Sequence, residues 1–308
     1  MFFQKKKALR NWINVDLLDF RQVARLPNSV DFFKEQSIWN IMDMVWDVIT
    51  SDNINFLELI HFHQYDASWR SMSKNPGAIS LLEKNQEKID WLMLCSNPEA
   101  AHLIKDNLHR DLCWHSLSKN PNAIEILKKH PENIIWYNLS ANPNAMELLE
   151  ANPDRINWFK LSANTNPRAI ELLRENFDLI DWFNLSENPS AIKILEEFPQ
   201  YIEWRYLSLN PAAIPLLKAN PSMIDWEYLS ANPAAIELLE ANQDKIDYRY
   251  LSANPEIFTD VYIYDYEVIK NNFKDLNEEI VAMALNPVRI NRLMAKYGRD
   301  VVYDNYFS

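Results

Sequence analysis

Apolar and polar positions along this chain repeat with a period of 22 residues in most copies. Residues 136–157 read WYNLSANPNAMELLEANPDRIN, and residues 226–247 read WEYLSANPAAIELLEANQDKID. A self-similar period of this length is typical of proteins built from stacked helical repeats. We name each repeat by its first aromatic residue, and the copies begin at Phe20, Trp46, Trp69, Trp91, Trp114, Trp136, Trp158, Trp182, Trp204, Trp226 and Tyr248.

Each repeat carries the pattern of two short helices. In PNAMELLEA, the residues Ala145, Met146, Leu148 and Leu149 share one face, as in an amphipathic helix. Asn-Pro pairs should begin these helices, because Asn is a preferred N-cap and Pro suits the first helical turn. The pairs predict a helix A, which contains the aromatic residue, and a helix B. Each would be roughly 15 Å long for about ten residues.

The sequence therefore predicts an all-α fold, an α-solenoid of about eleven 22-residue two-helix repeats with helical N- and C-terminal caps. One pair of such short helices is too small to be stable alone, so neighbouring repeats must cover each other. Caps are expected because a terminal repeat would otherwise expose its apolar side. The predicted domains are an N-terminal cap with degenerate repeats (1–68), regular repeats (69–256) and a C-terminal helical cap (257–308).

Composition narrows the classes of function. The chain has only two glycines, Gly77 and Gly298, so it cannot form the glycine-rich loops that bind the phosphates of nucleotides. Its net charge of -12 argues against nucleic acid as a partner. The same charge argues against binding to an anionic membrane, and the lack of a run of 18 apolar residues argues against a membrane span. Two cysteines and no visible secretory signal favour an intracellular protein with reduced thiols.

Residue types with catalytic or metal-binding chemistry fall at positions that the repeat itself explains. The recurring Ser has no His at a repeated spacing that could activate it as a nucleophile, so we interpret it as a packing residue. The carboxylates before the aromatic residues recur once per repeat, too far apart to share a cation. The cluster Cys95, His102, His109, Cys113 and His115 matches no compact zinc motif. We therefore expect no catalytic residue, no metal site, no cofactor and a non-enzymatic function.

The best candidates for binding are the two positions after each aromatic residue, because they vary between repeats. Aromatic and arginine side chains are enriched in interface hot spots, and here they recur in register, so they could form a stripe that binds a partner. The alternative is that these rings pack between adjacent helices. The predicted partner-binding residues are Tyr137, Phe159, Phe183, Arg205, Tyr206, Tyr228, Arg249 and Tyr250.

The chain also resembles a known repeat family. The segment LSANPAAIELLEANQDKIDYRYLSANPEIF is followed by YDYEVIKNN and ALNPVRINRLMAKYG, a succession similar to the short Asn-Pro repeat proteins encoded by giant DNA viruses. The resemblance covers about residues 69–297. It implies a viral protein that acts in the cytoplasm of an infected host cell or in the virion.

These observations lead to two hypotheses about function. The first is a non-enzymatic repeat scaffold that binds a viral or host protein partner during infection, because solenoids offer extended curved surfaces. The second is a structural component of the virus particle, either a minor capsid protein or an internal one.

Overall fold

The computed structural model of the chain describes residues 3–35, 48, 52–55, 68–264, 283 and 286–297. The chain divides into two compact units. Lys7–Thr259 forms the first, which we call the repeat unit, and Met1–Lys6 together with Asp260–Ser308 forms the second. In the described part of the chain, no helix has the length and apolar character needed to cross a membrane.

Helix A opens each described repeat and is four to six residues long. It begins at the aromatic residue because the residue before it is extended and, where that residue is Asp or Asn, caps the helix. Asp225, for example, accepts a hydrogen bond from the N–H of Tyr228 at 3.0 Å. The A helices are Phe20–Val23, Trp69–Lys74, Trp91–Leu94, Trp114–Lys119, Trp136–Leu139, Trp158–Leu161, Trp182–Glu187, Trp204–Leu207, Trp226–Ser230 and Tyr248–Leu251.

Helix B is five to nine residues long and follows the Asn-Pro of the LSxNP motif. The B helices are Val30–Glu35, Ile79–Lys84, Ala101–Asp106, Ile124–Lys129, Met146–Glu150, Pro167–Glu175, Ile192–Glu197, Ile214–Ala219 and Ile236–Glu240. The 3-10 turns before them are Pro27–Ser29, Pro76–Ala78, Pro98–Ala100, Pro121–Ala123, Pro189–Ala191, Pro211–Ala213 and Pro233–Ala235, and Pro255–Ile257 follows the last helix A. The 3-10 turns before the A helices are Val15–Leu17, Gln86–Lys88, Pro131–Asn133, Pro153–Arg155, Phe177–Leu179, Pro199–Tyr201, Pro221–Met223 and Gln243–Lys245.

The prediction of an all-α solenoid of two-helix repeats is confirmed, although the α-helices are shorter than expected. The sequence predicts one helix from Pro153 through Trp158, but the backbone is extended at Ile156 (φ -67°, ψ 128°) and at Asn157 (φ -91°, ψ 104°). This break turns the side chain of Ile156 into the core, where it is 8% exposed. The Asn-Pro pair therefore starts a 3-10 turn, and helix A starts separately.

The two Asn-Pro positions of a repeat have different roles. The sequence suggests that both cap helices, but Asn152 makes no cap and instead donates from Nδ2 to the carbonyl of Leu148 at 2.9 Å, at the end of the preceding helix. Its counterparts bond in the same way: Asn85, Asn107, Asn176, Asn220 and Asn242. Of the two Asn-Pro positions, only the one that precedes helix B acts as an N-cap; in the Trp158 repeat this residue is Asn166.

The core consists of residues that recur in every repeat. Leu207 of helix A and Leu217 of helix B are fully buried, and Ala213 lies between them in the 3-10 turn, also fully buried. The Trp residues are half-buried and pack against this core from its edge. Because the same positions are buried in each repeat, the core runs continuously through the stack.

The Asn of each LSxNP motif joins its repeat to the preceding one through buried hydrogen bonds. Asn210 is fully buried, and its Nδ2 donates to the carbonyls of Ser186 at 3.0 Å and Asn188 at 2.9 Å. Its Oδ1 accepts from the N–H of Ala212 at 2.9 Å. The same three bonds recur at Asn97, Asn120, Asn142, Asn164, Asn188, Asn232 and Asn254.

The Ser of the motif forms a second link, to the following repeat. The Oγ of Ser230 donates to the carbonyl of Trp226 at 2.7 Å and accepts from the N–H of Asp247, in the next repeat, at 3.0 Å. The equivalent inter-repeat bond is made by Ser73, Ser118, Ser140, Ser162, Ser186 and Ser208, and by the Sγ of Cys95. The recurring Ser is thus a connecting residue as well as a packing residue.

The Asn link continues through the degenerate repeats at the N-terminal side. Asn53 donates from Nδ2 to the carbonyls of Ala24 and Leu26, both at 3.0 Å. Asn75 in turn donates to the carbonyl of Asn53 at 2.8 Å. Asn53 lies one residue beyond the position that alignment on Trp46 gives, so the structure sets the register of this repeat.

The Phe20 repeat packs on the Tyr248 repeat, so the stack of repeats closes on itself within Lys7–Thr259. The N–H of Asp19 donates to the Oγ of Ser252 at 2.8 Å. This is the same bond that links successive regular repeats. The first and last repeats therefore cover each other. Their apolar outer sides, which we expected terminal caps to cover, are already buried by this contact.

Further contacts support this closure. The N–H of Arg10 donates to the carbonyl of Ile257 at 2.9 Å, and its Nε donates to the carbonyl of Glu256 at 2.7 Å. The rings of Phe32 and Phe258 are in contact, with centroids 5.9 Å apart. Phe258 is almost fully buried, at 1% exposure.

The predicted caps are helical only in part. Pro287–Tyr297 is a helix in the expected C-terminal cap, but Phe3–Leu9 forms strand β1 and Phe258–Tyr264 forms strand β2 of a two-stranded sheet. The strands are antiparallel, because Arg10 bonds Ile257 whereas the earlier Lys5 pairs with the later Asp260 at 2.9 Å. The β2 sequence FTDVYIY is rich in β-branched and aromatic residues, which favour strands.

Candidate functional site

The helix A surface of the repeats presents the predicted binding residues. In each helix A the aromatic residue and the Leu three positions later face the core, so the first residue after the aromatic one lies on the outer side, whereas the second is half-buried or, in the case of Asn138, buried. In the Trp136 repeat, Leu139 is fully buried whereas Tyr137 is 47% exposed. The first position of the stripe is therefore exposed along successive repeats, whereas the second is partly covered.

Four of the predicted rings form a continuous row. The ring centroids of Phe183 and Tyr206 are 5.4 Å apart, those of Tyr206 and Tyr228 are 5.9 Å apart, and those of Tyr228 and Tyr250 are 5.4 Å apart. The three tyrosines are half-buried. Because each ring packs on the next, their mutual contacts already use much of their surface.

The charged groups beside the tyrosines are paired with one another. The guanidinium group of Arg205 lies 4.3 Å from the ring centroid of Tyr228 and within 4 Å of the carboxylates of Asp225 and Glu227. A hydrogen bond with Glu227 raises the pKa of Tyr250 above its usual value. This half of the stripe is therefore internally satisfied.

Arg249 pairs with a carboxylate of its own repeat. Its Nη2 is 2.7 Å from the carboxylate of Asp247, in the same repeat. The side-chain hydrogen bond from Arg249 holds the pKa of Asp247 below its usual value. Of the two predicted arginines, only Arg205 lies over a ring of the row.

The other half of the stripe is more open. Tyr137, Phe159 and Phe183 are 47%, 47% and 50% exposed. The Nζ of Lys160 lies 5.1 Å from the ring centroids of both Tyr137 and Phe159 and joins them. Exposed aromatic side chains next to a cation are typical of surfaces that bind another molecule.

Two cavities accompany the open half. The first has a volume of about 350 Å³ and is lined by Phe159, Phe183, Asn184, Glu187 and Tyr206. Three aromatic rings thus form its walls, and Glu187 contributes the one carboxylate of the lining. Its lining residues come from the Trp158, Trp182 and Trp204 repeats.

The second cavity, of about 320 Å³, is lined by Lys119, Asn138, Ala141 and Lys160. Asn138 is 1% exposed, and its Nδ2 donates to the carbonyl of His115 at 2.9 Å. Its Oδ1 is buried and has no hydrogen-bond donor among the described residues. The sequence did not single out Lys119 or Asn138, because an unpaired oxygen is a property of the packing and leaves no mark in the pattern.

Three of the residues with metal-binding chemistry, His102, Cys95 and Cys113, contact other groups of the protein. His102 lies 2.9 Å from the carboxylate of Glu83, and the Sγ of Cys95 accepts from the N–H of Cys113 at 3.2 Å. Within the part of the chain that the structure describes, no three His, Cys, Asp or Glu side chains lie close enough to hold a metal ion. Burial raises the pKa of Cys95 to about 11, so at neutral pH it is an uncharged thiol.

The chain matches no protein-family model, no curated protein and no solved structure.

Proposed function

We propose that this protein is a non-enzymatic scaffold that binds a protein partner through the open half of its aromatic stripe. This open surface consists of Tyr137, Phe159, Phe183, Lys160 and the two cavities beside them. The observation that carries the proposal is that three neighbouring repeats each expose an aromatic ring by about half.

The remaining surface chemistry supports this choice. The recurring polar residues, such as Asn210 and Ser230, form hydrogen bonds to neighbouring repeats. Their polar groups are therefore already paired within the protein. The tyrosine half of the row is packed ring on ring, and its charges are paired. The open rings lie on three neighbouring repeats, and aromatic anchors of this kind often carry most of the binding energy at an interface.

The test is a triple variant, Tyr137→Ala, Phe159→Ala and Phe183→Ala, used as bait in affinity purification from infected host cells with quantitative mass spectrometry. Because truncating central aromatic anchors costs on the order of 2 kcal/mol or more, recovery of the partner should fall by roughly tenfold or more. The melting temperature should stay close to that of the wild type, since the rings are half-exposed.

The matched control replaces three other exposed apolar side chains, Leu179→Ala, Tyr201→Ala and Met223→Ala. These are 48%, 41% and 43% exposed and lie in the 3-10 turns that precede the A helices. The control should retain the partner. Retention by the stripe variant, or equal loss in both variants, would show that the stripe is not the binding surface.

The partner under this proposal is a viral or host protein of the infected cell, as the resemblance to giant-virus Asn-Pro repeat proteins implies. The same purification distinguishes the alternative role in the virus particle. A soluble complex recovered from cytoplasm supports the scaffold, whereas stoichiometric recovery of the chain in purified particles supports a structural component of the virion.

A further inference from the structure

The junction between the Trp91 and Trp114 repeats is made by two cysteines. At the other regular junctions, the Oγ of a Ser accepts from the N–H of the residue before the next aromatic residue, as Ser230 does from Asp247. Here Cys95 takes the place of the Ser, and its Sγ accepts from the N–H of Cys113 at 3.2 Å. The chain has only these two cysteines, so both of its thiols belong to one inter-repeat contact. This coincidence points to chemistry that needs two thiols side by side.

The two side chains are close enough to be joined. The Sγ of Cys95 lies 3.2 Å from the backbone nitrogen of Cys113. In a disulfide between them these two atoms would be four bonds apart, a separation that ordinary bond lengths place at roughly 3 to 5 Å. Burial is the main cause of the raised pKa of Cys95, and the charge of the Cys113 thiolate adds to it. The fold thus already holds the sulfur of Cys95 beside the residue that it would bond.

The two thiols differ in their access to solvent. Cys113 is half-buried directly before helix A, and its Sγ accepts from the hydroxyl of Ser116 at 3.3 Å. Cys95 is fully buried and donates its S–H to the carbonyl of Trp91 at 3.2 Å. Because oxidation of cysteine follows exposure, a small oxidant reaches Cys113 first and Cys95 only through Cys113. An accessible reacting thiol next to a resolving thiol is the arrangement of a redox-active pair.

We propose that hydrogen peroxide converts Cys95 and Cys113 into a disulfide that joins the Trp91 and Trp114 repeats. The sulfur of Cys113 attacks one oxygen of the peroxide and the O–O bond breaks. This step leaves a sulfenic acid at Cys113, and the departing hydroxide takes the thiol proton to form water. The sulfur of Cys95 then attacks the sulfur of Cys113, the S–O bond breaks, and the hydroxyl leaves as a second water with the proton of the Cys95 thiol. The two thiols lose two electrons in total, and the peroxide gains them.

The disulfide replaces a weak hydrogen bond to sulfur by a covalent link. It closes the loop of residues 95–113, and such cross-links stabilise a fold by restricting the unfolded chain. Under oxidising conditions this junction is therefore held more firmly than its neighbours. The site includes none of the open-surface residues Tyr137, Phe159 and Phe183, so it stands independently of the proposed binding function.

The first experiment treats the whole chain, reduced and then freed of reductant, with a small molar excess of hydrogen peroxide. After alkylation of the remaining thiols, trypsin separates the two cysteines, because Lys105 and Arg110 lie between them. Mass spectrometry should detect peptides 89–105 and 111–119 joined in most chains and separated by dithiothreitol. Unreacted thiols, a sulfinic acid at Cys113 without the link, or a disulfide between two chains would overturn the inference.

Two single variants separate the roles of the thiols. In Cys95→Ser, Cys113 should stop at the sulfenic acid, which dimedone labels. In Cys113→Ser, the buried Cys95 should remain a thiol. Oxidation of Cys95 in this second variant, as fast as the linkage in the wild type, would contradict the proposed order of steps.

The matched control is the double variant Ser73→Cys with Cys95→Ser, which keeps two cysteines but moves one to the equivalent place in the preceding repeat. The Oγ of Ser73 accepts from the N–H of Asp90, so this position does not contact Cys113 through the same bond. No linked peptide should form under the same treatment. Linkage as extensive as in the wild type would mean that the cysteines meet in an opened chain and not at the folded junction, and the inference would fail.

The second experiment compares the thermal unfolding of the oxidised and the reduced protein. The disulfide should raise the melting temperature by roughly 5 °C, and dithiothreitol should reverse the rise. Cys95→Ser gives the baseline, since peroxide oxidises its methionines in the same way. An unchanged or lower melting temperature in the linked protein would show that the disulfide strains the junction, contrary to the inference.

Discussion

Two junctions between repeats show how the same contacts are used along the chain and at its closure. At the internal junction, between the Trp182 and Trp204 repeats, Asn210 makes two buried bonds back to Ser186 and Asn188. At the closing junction, between the Tyr248 and Phe20 repeats, the position of this Asn is occupied by Leu26, which has no amide to donate.

The closing junction keeps one regular contact and replaces the rest. The bond from Asp19 to Ser252 is retained at 2.8 Å. The N–H of Asn14 donates to the Tyr248 hydroxyl at 3.3 Å, and Arg10 bonds the backbone beyond Ser252. The difference indicates that the bond from the residue before helix A to the Ser of the preceding repeat is enough to fix how two repeats pack. The bonds from the Asn of LSxNP can be replaced by other contacts. Four sets of substitutions test this comparison.

The largest effect is expected from Asn210→Leu. This substitution places at the internal junction the residue type that Leu26 supplies at the closing junction. The variant loses two inter-repeat bonds and the N-cap bond from Ala212, so the free energy of unfolding should fall by about 3 kcal/mol. Chemical denaturation measures the change.

The matched control is the reverse substitution, Leu26→Asn, at the closing junction. It adds an amide where the backbone is already extended (φ -75°, ψ 128°) but removes a buried side chain, so the change should stay within about 1 kcal/mol. Equal losses for the two variants would mean that the amide bonds do not distinguish the junctions.

The second effect is expected from Gly77→Ala, at the junction between the Trp46 and Trp69 repeats. A Cβ on Gly77 would lie 1.9 Å from the carbonyl oxygen of Ile54, so the backbone must move, at a cost of about 2 kcal/mol. Ala212 occupies the same place in the Trp204 repeat. Ala212→Gly, the control, should cost less than about 1 kcal/mol by thermal unfolding. A neutral Gly77→Ala would mean that this junction is looser than the others.

The third effect compares Ser230→Ala with Ser252→Ala. Each removes one inter-repeat bond, to Asp247 or to Asp19, and should cost about 1 kcal/mol. Similar losses indicate that the closing junction is as firmly made as an internal one. A loss near zero for Ser252→Ala alone, with fast amide hydrogen exchange at Asp19, would show that the stack is open in solution.

The smallest effect is expected from Cys95→Ser. This substitution places at the junction between the Trp91 and Trp114 repeats the Ser that the other regular repeats have at this position. The Sγ of Cys95 accepts from the N–H of Cys113 at 3.2 Å, and oxygen accepts such a bond more strongly. Stability should rise by about 0.5 kcal/mol, measured by denaturation under reducing conditions. A loss above about 1 kcal/mol would mean that the site favours sulfur for its apolar character.

Much of the candidate site could be predicted from the sequence. The first variable position after the aromatic residue is exposed at Tyr137, Phe159 and Phe183, because the pattern fixes which face of helix A is buried, whereas the second position is half-buried or buried. The sequence did not divide the stripe into halves, because that division depends on which rings meet, as Tyr206 and Tyr228 do, and on which charges find partners. Nor did it indicate the cavity at Asn138, which residues from three repeats form together.

By itself, the sequence determined the period, the helical class, the two elements of each repeat and the buried face of each element. These follow from local preferences and from a pattern that every repeat shares. Only the tertiary structure decided that the Asn of LSxNP donates to two carbonyls, and that the Phe20 repeat meets the Tyr248 repeat. The reason is that curvature accumulates from small rotations between neighbours, and a periodic pattern read along the chain does not contain that angle.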